Sequence, residues 1–267
     1  SGDDYYDSVI DQISQSQSEI LMESYIFEND EVGKRILDAL AGAVKRNVST
    51  RLMIDGIGSY VDASVIRDFC NTHGIQFRVY RPLPKLLAEY TRFTQFMRTA
   101  NRRNHRKVTV IDQQIAFIAS LNISRVHSEK ILGEKAWKDL GAMIRGPEVV
   151  KIRALTNAYW SKFYFSLKGR IPKINFVRVR STHSMAARRA SRNLLLQKVK
   201  QSKNHIKILT PYFVPSIKLI RALKQASQTH QNTEIIIPVR SDFLIVDMAS
   251  RHIIRTLLTK NIKVYQY

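Results

Sequence analysis

Ile20–Phe27 is an apolar run rich in β-branched and aromatic side chains, and beyond it the period changes. Val32, Ile36, Leu37, Leu40 and Val44 fall at helical spacing behind Asn29-Asp30, a pair suited to capping. Thr50–Ile54 alternates and closes on Asp55-Gly56, Ala63–Cys70 has helical spacing and stops near Gly74, and Ile75–Tyr80 is a third strand. This β-α-β-α-β order predicts an α/β fold with a central sheet covered by helices.

The order recurs. Ile206–Val214, Thr233–Ile237 and Ile262–Tyr265 have strand character, and Ile217–Ala226 and Val246–Leu258 between them have helical character. Tyr25 matches Tyr212, Ala39 matches Ala222, Leu40 matches Leu223, Thr50 matches Thr233, Ile54 matches Ile237 and Ile75 matches Ile262, at offsets between 183 and 187. The chain is therefore expected to hold two copies of one unit, 1–165 and 166–267, joined around Ser166–Pro172. The second copy is expected to be incomplete at Tyr267, so that what the first carries at residues 105–139 has no counterpart in this chain.

Charge adds a partner class. The net charge is +21, yet residues 1–80 carry a net −6 and residues 81–267 a net +27. A surplus of that size is expected to attract a polyanion, either nucleic acid or an anionic membrane surface. The single cysteine, Cys70, excludes an internal disulfide and a cysteine-based zinc site. No apolar run reaches the roughly 18 residues of a membrane span.

The chemistry gathers in Asn104-His105-Arg106-Lys107-Val108-Thr109-Val110-Ile111-Asp112, then Ile115–Ile118, then Ala119-Ser120-Leu121-Asn122. His105 and Lys107 are two apart on an expected strand and share a face. Ser120 and Asn122 are two apart at the end of the next strand. A hairpin across 112–114 brings an imidazole, an ammonium, a hydroxyl and an amide together. That set suits a phosphoryl group: the imidazole attacks phosphorus while Lys, Asn and Ser hold or orient its oxygens. A lysine supplies the positive charge, so no metal and no cofactor is expected.

H-x-K-x4-D followed by a small residue, Ser, any residue and Asn resembles the phospholipase D superfamily signature. His105, Lys107, Asp112, Ser120 and Asn122 match it, with Ala119 where the family usually has Gly. Glu23–Phe27, Asp30–Gly33, Asp55–Ser59, Trp137-Lys138-Asp139, Gly146-Pro147 and Thr210–Pro215 are similar to segments of bacterial cardiolipin synthases. The resemblance implies two phospholipase D-like αβα-sandwich units, with a second H-x-K-x4-D motif beginning shortly after the strand matching Ile262–Tyr265. It also implies a phosphatidyltransferase. By that resemblance His105 would be the nucleophile on phosphatidylglycerol, forming a phosphohistidine-linked phosphatidyl group that the alcohol of a second lipid resolves. The second-motif histidine is implied as the proton donor. Asp139 is expected to orient an imidazole, and Asp112 to order the hairpin rather than touch substrate. Glu23 and Tyr212, at strand ends where α/β sites gather, are candidate substrate-binding residues, with burial equally open for both. The remaining histidines, His127 among them, are expected to be structural or solvated.

From Leu83 to Met97 apolar residues recur at 83, 86, 87, 90, 93 and 97, surrounded by Lys85, Arg92, Arg98, Arg102 and Arg103. This basic amphipathic stretch, 83–103, either lies in a membrane interface or packs on its own domain. Arg188, Arg189, Arg192, Lys198, Lys200 and Lys203 flank Leu194–Leu196 as the charged face of a second amphipathic helix. The expected setting is the bacterial cell membrane, peripheral and on its cytoplasmic face, with anionic phospholipid as substrate. A nuclease of the same superfamily, acting on nucleic acid, and a phospholipid hydrolase are the alternatives. Oligomeric state is open.

Overall fold

The computed structural model describes residues 1–82, 103–161, 185–228, 232–239, 244–258 and 262–267. The amphipathic stretch Leu83–Met97 and the expected join Ser166–Pro172 lie outside these residues. The chain divides into two compact units, 1–179 and 180–267.

The first unit is built on a six-stranded sheet. Its elements are α1 (Gly2–Ser14), β1 (Glu19–Ser24), α2 (Glu31–Lys45), β2 (Ser49–Asp55), α3 (Ala63–Thr72), β3 (Gln76–Tyr80), β4 (Val108–Ile111), β5 (Ile115–Ala119), β6 (Gly141–Arg145) and α4 (Glu148–Trp160). The strand order is β3-β2-β1-β4-β5-β6. The first three strands run parallel and the last three antiparallel to their neighbours. Alternation divides the side chains of β1 between two cores. Ile20 and Met22 face Tyr6, Val9, Leu37, Leu40 and Ile66 from the first three helices, while Leu21 faces Val149 and Ile152 of α4. The result is a helix–sheet–helix sandwich, the α/β architecture expected from the sequence.

Asp30 caps α2, its carboxylate accepting the Gly33 N–H at 2.9 Å, as the Asn29-Asp30 pair predicts. The sequence reading overlooked α1, whose mixed polar face hides the buried stripe Tyr6, Val9 and Ile13. The strand expected from His105 begins only at Val108. Lys107 still accepts the Ala119 N–H at 3.1 Å, but further upstream the Asn104 N–H donates to the buried Asp55 carboxylate at 3.0 Å.

The second unit holds α5 (Met185–Gln201), β7 (His205–Leu209), α6 (Ile217–Gln228), β8 (Asn232–Ile237), α7 (Leu244–Leu257) and β9 (Ile262–Gln266). Its three strands are parallel, in the order β7-β8-β9, over a core of Val199, Leu223, Ile235, Leu257 and Ile262. Ile20 pairs with Thr50 in the first unit, and Ile206 with Thr233 in the second. Likewise Arg51 pairs with Gln76, and Glu234 with Lys263. β7 stops at Leu209, short of the expected Val214. Pro211 has no N–H for a ladder, and it also adds the residue that shifts Tyr212 by one against the strand register.

Candidate active site

The mixed sheet brings distant segments to one end. The C-terminal ends of β1 and β2, the start of β4, the end of β5 and the start of β6 all meet there. This places Glu23, Asp55, His105, Lys107, Ser120, Asn122 and Asp139 along a single strip.

His105 is exposed, and its ring stacks on Tyr25 with centroids 4.0 Å apart. The Lys107 ammonium lies 5.3 Å from the centroid of the same tyrosine ring and donates to the His105 carbonyl at 3.3 Å. Partial burial and the Lys107 charge lower the His105 pKa, against an opposing pull from Asp55, so the imidazole is neutral near pH 7. A neutral imidazole has the lone pair a nucleophile needs. Lys107 is also lowered by burial, opposed by Asp139.

Behind this pair the chain is clamped by two buried carboxylates. Asp55 accepts the N–H groups of Asn104 at 3.0 Å, Ile57 at 2.8 Å and Gly58 at 3.3 Å. Glu23 accepts from the Asn104 amide at 2.8 Å and from Arg106 at 2.8 Å, while the Arg106 guanidinium stacks 4.0 Å from the Tyr159 ring centroid. Gly58 allows the 56–59 loop to press on Tyr25, because a Cβ there would lie 2.2 Å from the Tyr25 carbonyl. Asn104 is thus fixed from two sides, and His105 is the next residue.

Of the two readings open for Glu23, substrate contact and burial, its position fits burial. It is only 2 % exposed and faces Asn104 and Arg106, which makes it a support for the 104–106 segment rather than a substrate contact. Burial pushes its pKa up to about 7, against the lowering effects of Arg106 and Asn104. A carboxyl with a raised folded-state pKa binds protons more tightly when folded. Its stabilising contribution is complete below about pH 4.5 and is lost as pH rises to about 7. Relative to Glu23→Gln, the wild type should lose on the order of 3 kcal/mol across that window. Urea unfolding of both proteins between pH 4 and 8 checks this, and parallel pH curves would refute it.

Ser120 and Asn122 follow β5. The Ser120 hydroxyl donates to Asp139 at 2.5 Å and accepts the Leu140 N–H at 3.1 Å. The Asn122 side-chain oxygen accepts the Ile26 N–H at 3.3 Å, which turns the amide nitrogen toward other partners. Asp139 faces a histidine, but a different one from His105: Nδ1 of His127 lies 3.3 Å from its carboxylate. His127 is buried, which fits the structural side of its reading and not the solvated one.

Asp112 is not brought to the strip. It sits at the opposite end of β4, a strand length of roughly 13 Å away. Asp112 and Gln113 both adopt positive φ, +50° and +59°, and the Gln114 N–H closes on the Ile111 carbonyl at 3.1 Å. Both positive φ values fall inside the three-residue loop 112–114 that joins Ile111 to its partner Ile115. The Asp112 carboxylate accepts the N–H groups of Gln17 at 2.9 Å, Ser18 at 2.7 Å and Glu19 at 3.0 Å, together with the Ser18 hydroxyl at 2.8 Å. Its place among the catalytic candidates is therefore corrected, and its expected role in ordering the hairpin fits these bonds. Tyr212 belongs to the second unit, where it is exposed three residues after β7.

Asp55, Asn104 and His127 were not identified as site residues from the sequence. An acid closing a buried strand signals Asp55, while nothing in local spacing marks the other two. Among the described residues no three His, Cys, Asp or Glu side chains converge as metal ligands, and Lys107 is the cation beside His105.

The family model described as "Cardiolipin synthase, PLD-like domain" matches residues 9–157 and 195–267. Cardiolipin synthase B of Salmonella typhimurium is 29% identical over 280 residues, covering 100% of this chain and 65% of that protein. Cardiolipin synthase B of Escherichia coli K12 is 28% identical over 277 residues with the same coverage, so the chain spans just under two thirds of these relatives. Among solved structures, phosphatidylserine synthase of Haemophilus influenzae superposes with a TM-score of 0.62 at 13% identity, over 98% of this chain and 72% of that one, a likeness of fold. With the motif, the sheet and the matched residues all agreeing, the chain belongs to the cardiolipin synthase family with a phospholipase D-like domain.

Proposed function

We propose that this chain carries the nucleophilic half of a phosphatidyltransferase that condenses two phospholipids. The exposed, neutral His105 beside Lys107 at the end of the sheet is the observation that carries the reading. An imidazole nitrogen attacks the phosphorus of phosphatidylglycerol. The bond to the glycerol oxygen breaks, and the departing alkoxide takes a proton from a general acid. This leaves a phosphatidyl group on His105. The hydroxyl of a second lipid then attacks, loses its proton to the same group now acting as base, and releases the imidazole. Lys107 and the Asn122 amide hold the non-bridging oxygens as charge builds on them, and Ser120, bonded to Asp139, orders the turn that carries Asn122. The general acid is a second histidine, the role that the family resemblance gives to a second motif. The equivalent strand registers of β1-β2-β3 and β7-β8-β9 support the reading of 166–267 as the start of a second copy.

The complete enzyme incubated with phosphorus-labelled phosphatidylglycerol should acquire acid-labile, alkali-stable label on His105 and release cardiolipin and glycerol. Cleavage of DNA or RNA without lipid turnover would favour the nuclease reading, which the basic surplus also suits. Phosphatidic acid as the only product would favour hydrolysis.

Lipid substrate requires a surface that reaches the bilayer, peripherally and at the cytoplasmic face. Among the described residues no helix is long and apolar enough to cross a membrane. Exposed apolar side chains flank the strip on both sides: Tyr60 and Val61 after β2, and Trp137 and Leu140 before β6. Val61 is 85% and Leu140 64% exposed, so both cost little to mutate in the folded chain. Val61→Glu with Leu140→Glu should cut binding to phosphatidylglycerol vesicles by about tenfold or more, from the apolar area kept out of lipid. Cosedimentation measures this, with circular dichroism as the folding control. Unchanged binding would move the membrane contact elsewhere, for example to 83–103.

A further inference from the structure

His127 joins the two halves of the Ser120–Asn122 pair. The Asn122 N–H donates to its Nε2 at 3.3 Å. A nitrogen that accepts carries no proton, so the neutral ring holds its hydrogen on Nδ1, the less common tautomer of a free histidine. Nδ1 points at Asp139, at an ion-pair distance of 3.3 Å and without an aligned hydrogen bond among the described residues. Asp139 in turn receives the Ser120 hydroxyl. One imidazole therefore touches the backbone of Asn122 through one nitrogen and the carboxylate that orients Ser120 through the other.

The arrangement is not that of a serine nucleophile with a histidine base. The carboxylate lies between hydroxyl and imidazole, so His127 has no route to the Ser120 proton. Its surroundings also hold the ring still. It is 1% exposed, Trp137 packs edge-on with centroids 6.0 Å apart, and a Cβ on Gly2 would lie 2.0 Å from the His127 carbonyl, so α1 closes over its backbone. Burial lowers its pKa, with Lys107 acting in the same direction and Asp139 and the Trp137 backbone opposing. Asp139 and Lys107 are the charged side chains that act on it.

We propose that His127 is a positioning residue of the phosphate site, holding the 120–122 turn from both ends, Asn122 through Nε2 and Ser120 through Asp139, so that the Asn122 amide presents its donors to the phosphate. This deepens the proposed function and rests on it. An unfixed donor must be ordered when the phosphate arrives, and that entropic cost appears as weaker binding.

The test uses the 1–267 chain and inorganic phosphate as probe. Long-range proton–nitrogen spectra of the wild type should show His127 protonated on Nδ1 at pH 7. Phosphate titrated in, followed at the His105 resonances, gives the affinity. His127→Phe keeps the ring and removes both nitrogens, and should weaken phosphate binding about tenfold with an unchanged circular dichroism spectrum. His127→Gln restores one acceptor and one donor and should recover part of the loss. A purely structural role would not produce that recovery. If His127→Phe fails to fold, Asp139→Asn replaces it, since Asp139 is 25% exposed. That variant should shift the His127 resonances and weaken phosphate binding similarly. Wild-type affinity in the folded variants, or a His127 ring protonated on Nε2, overturns the proposal. A wild-type chain with no affinity for phosphate overturns the phosphate-site reading instead.

Discussion

His105→Ala is expected to lower phosphatidyl transfer by the complete enzyme by more than about 10³-fold while leaving its unfolding midpoint nearly unchanged. The two halves of this expectation have separate causes. The ring is exposed and its main contact is a stack on Tyr25, so its removal costs little packing. The same ring is the proposed nucleophile: it is exposed and its pKa is lowered, which favours a free lone pair, whereas the Ser120 hydroxyl is tied to Asp139. Lys107→Ala should follow at about 10²–10³-fold, the size of losing one donor to a developing oxyanion. Lys107→Arg tests shape as well as charge. A guanidinium is planar and larger than an ammonium, and it has to share the face of Tyr25 with His105. Labelled-lipid turnover with matched thermal melts decides these outcomes. Activity of His105→Ala within tenfold of the wild type would remove the nucleophile assignment.

The residues proposed for this chemistry were largely legible in the sequence, and the residues that hold them were not. His105, Lys107, Ser120 and Asn122 lie at short, regular separations, and the period of β4 and β5 carries them to one end of the sheet. Helical period likewise marked α2 and α3, whose buried residues recur on one face, and runs of β-branched and apolar side chains marked β2 and β3. Asp55 and Asn104 are 49 residues apart and meet only because β2 ends where the 104–107 segment begins. No local pattern encodes that meeting. His127 was passed over for a similar reason. Its partners are Asn122 and Asp139, on either side of it in sequence, and the turns that bring them in were not read. Asp139 was identified as an orienting carboxylate from Trp137-Lys138-Asp139, but which imidazole it faces depends on those same turns.

Asp112 separates the two ways in which a motif residue can matter. Asp112→Ala is expected to cost about 2–4 kcal/mol of unfolding free energy, while the folded fraction of the complete enzyme keeps near-wild-type turnover per molecule. Its carboxylate accepts four hydrogen bonds from residues 17–19, all on the approach to β1. Burial works to raise its pKa and is outweighed by those donors, chiefly the Glu19 N–H, so the group is held below the ordinary carboxylate range. Loss of the carboxylate leaves the donors to find water or go without, and it releases the turn that registers β4 against β5. None of these contacts reaches His105, which lies beyond the other end of β4. Because the folded-state pKa is depressed, the stabilisation is present above the unfolded value near 4 and is lost as pH falls through the folded one. The stability gap between wild type and Asp112→Ala should therefore narrow in acid and be widest at neutral pH. A variant that melts like the wild type but has lost turnover would return Asp112 to the catalytic group.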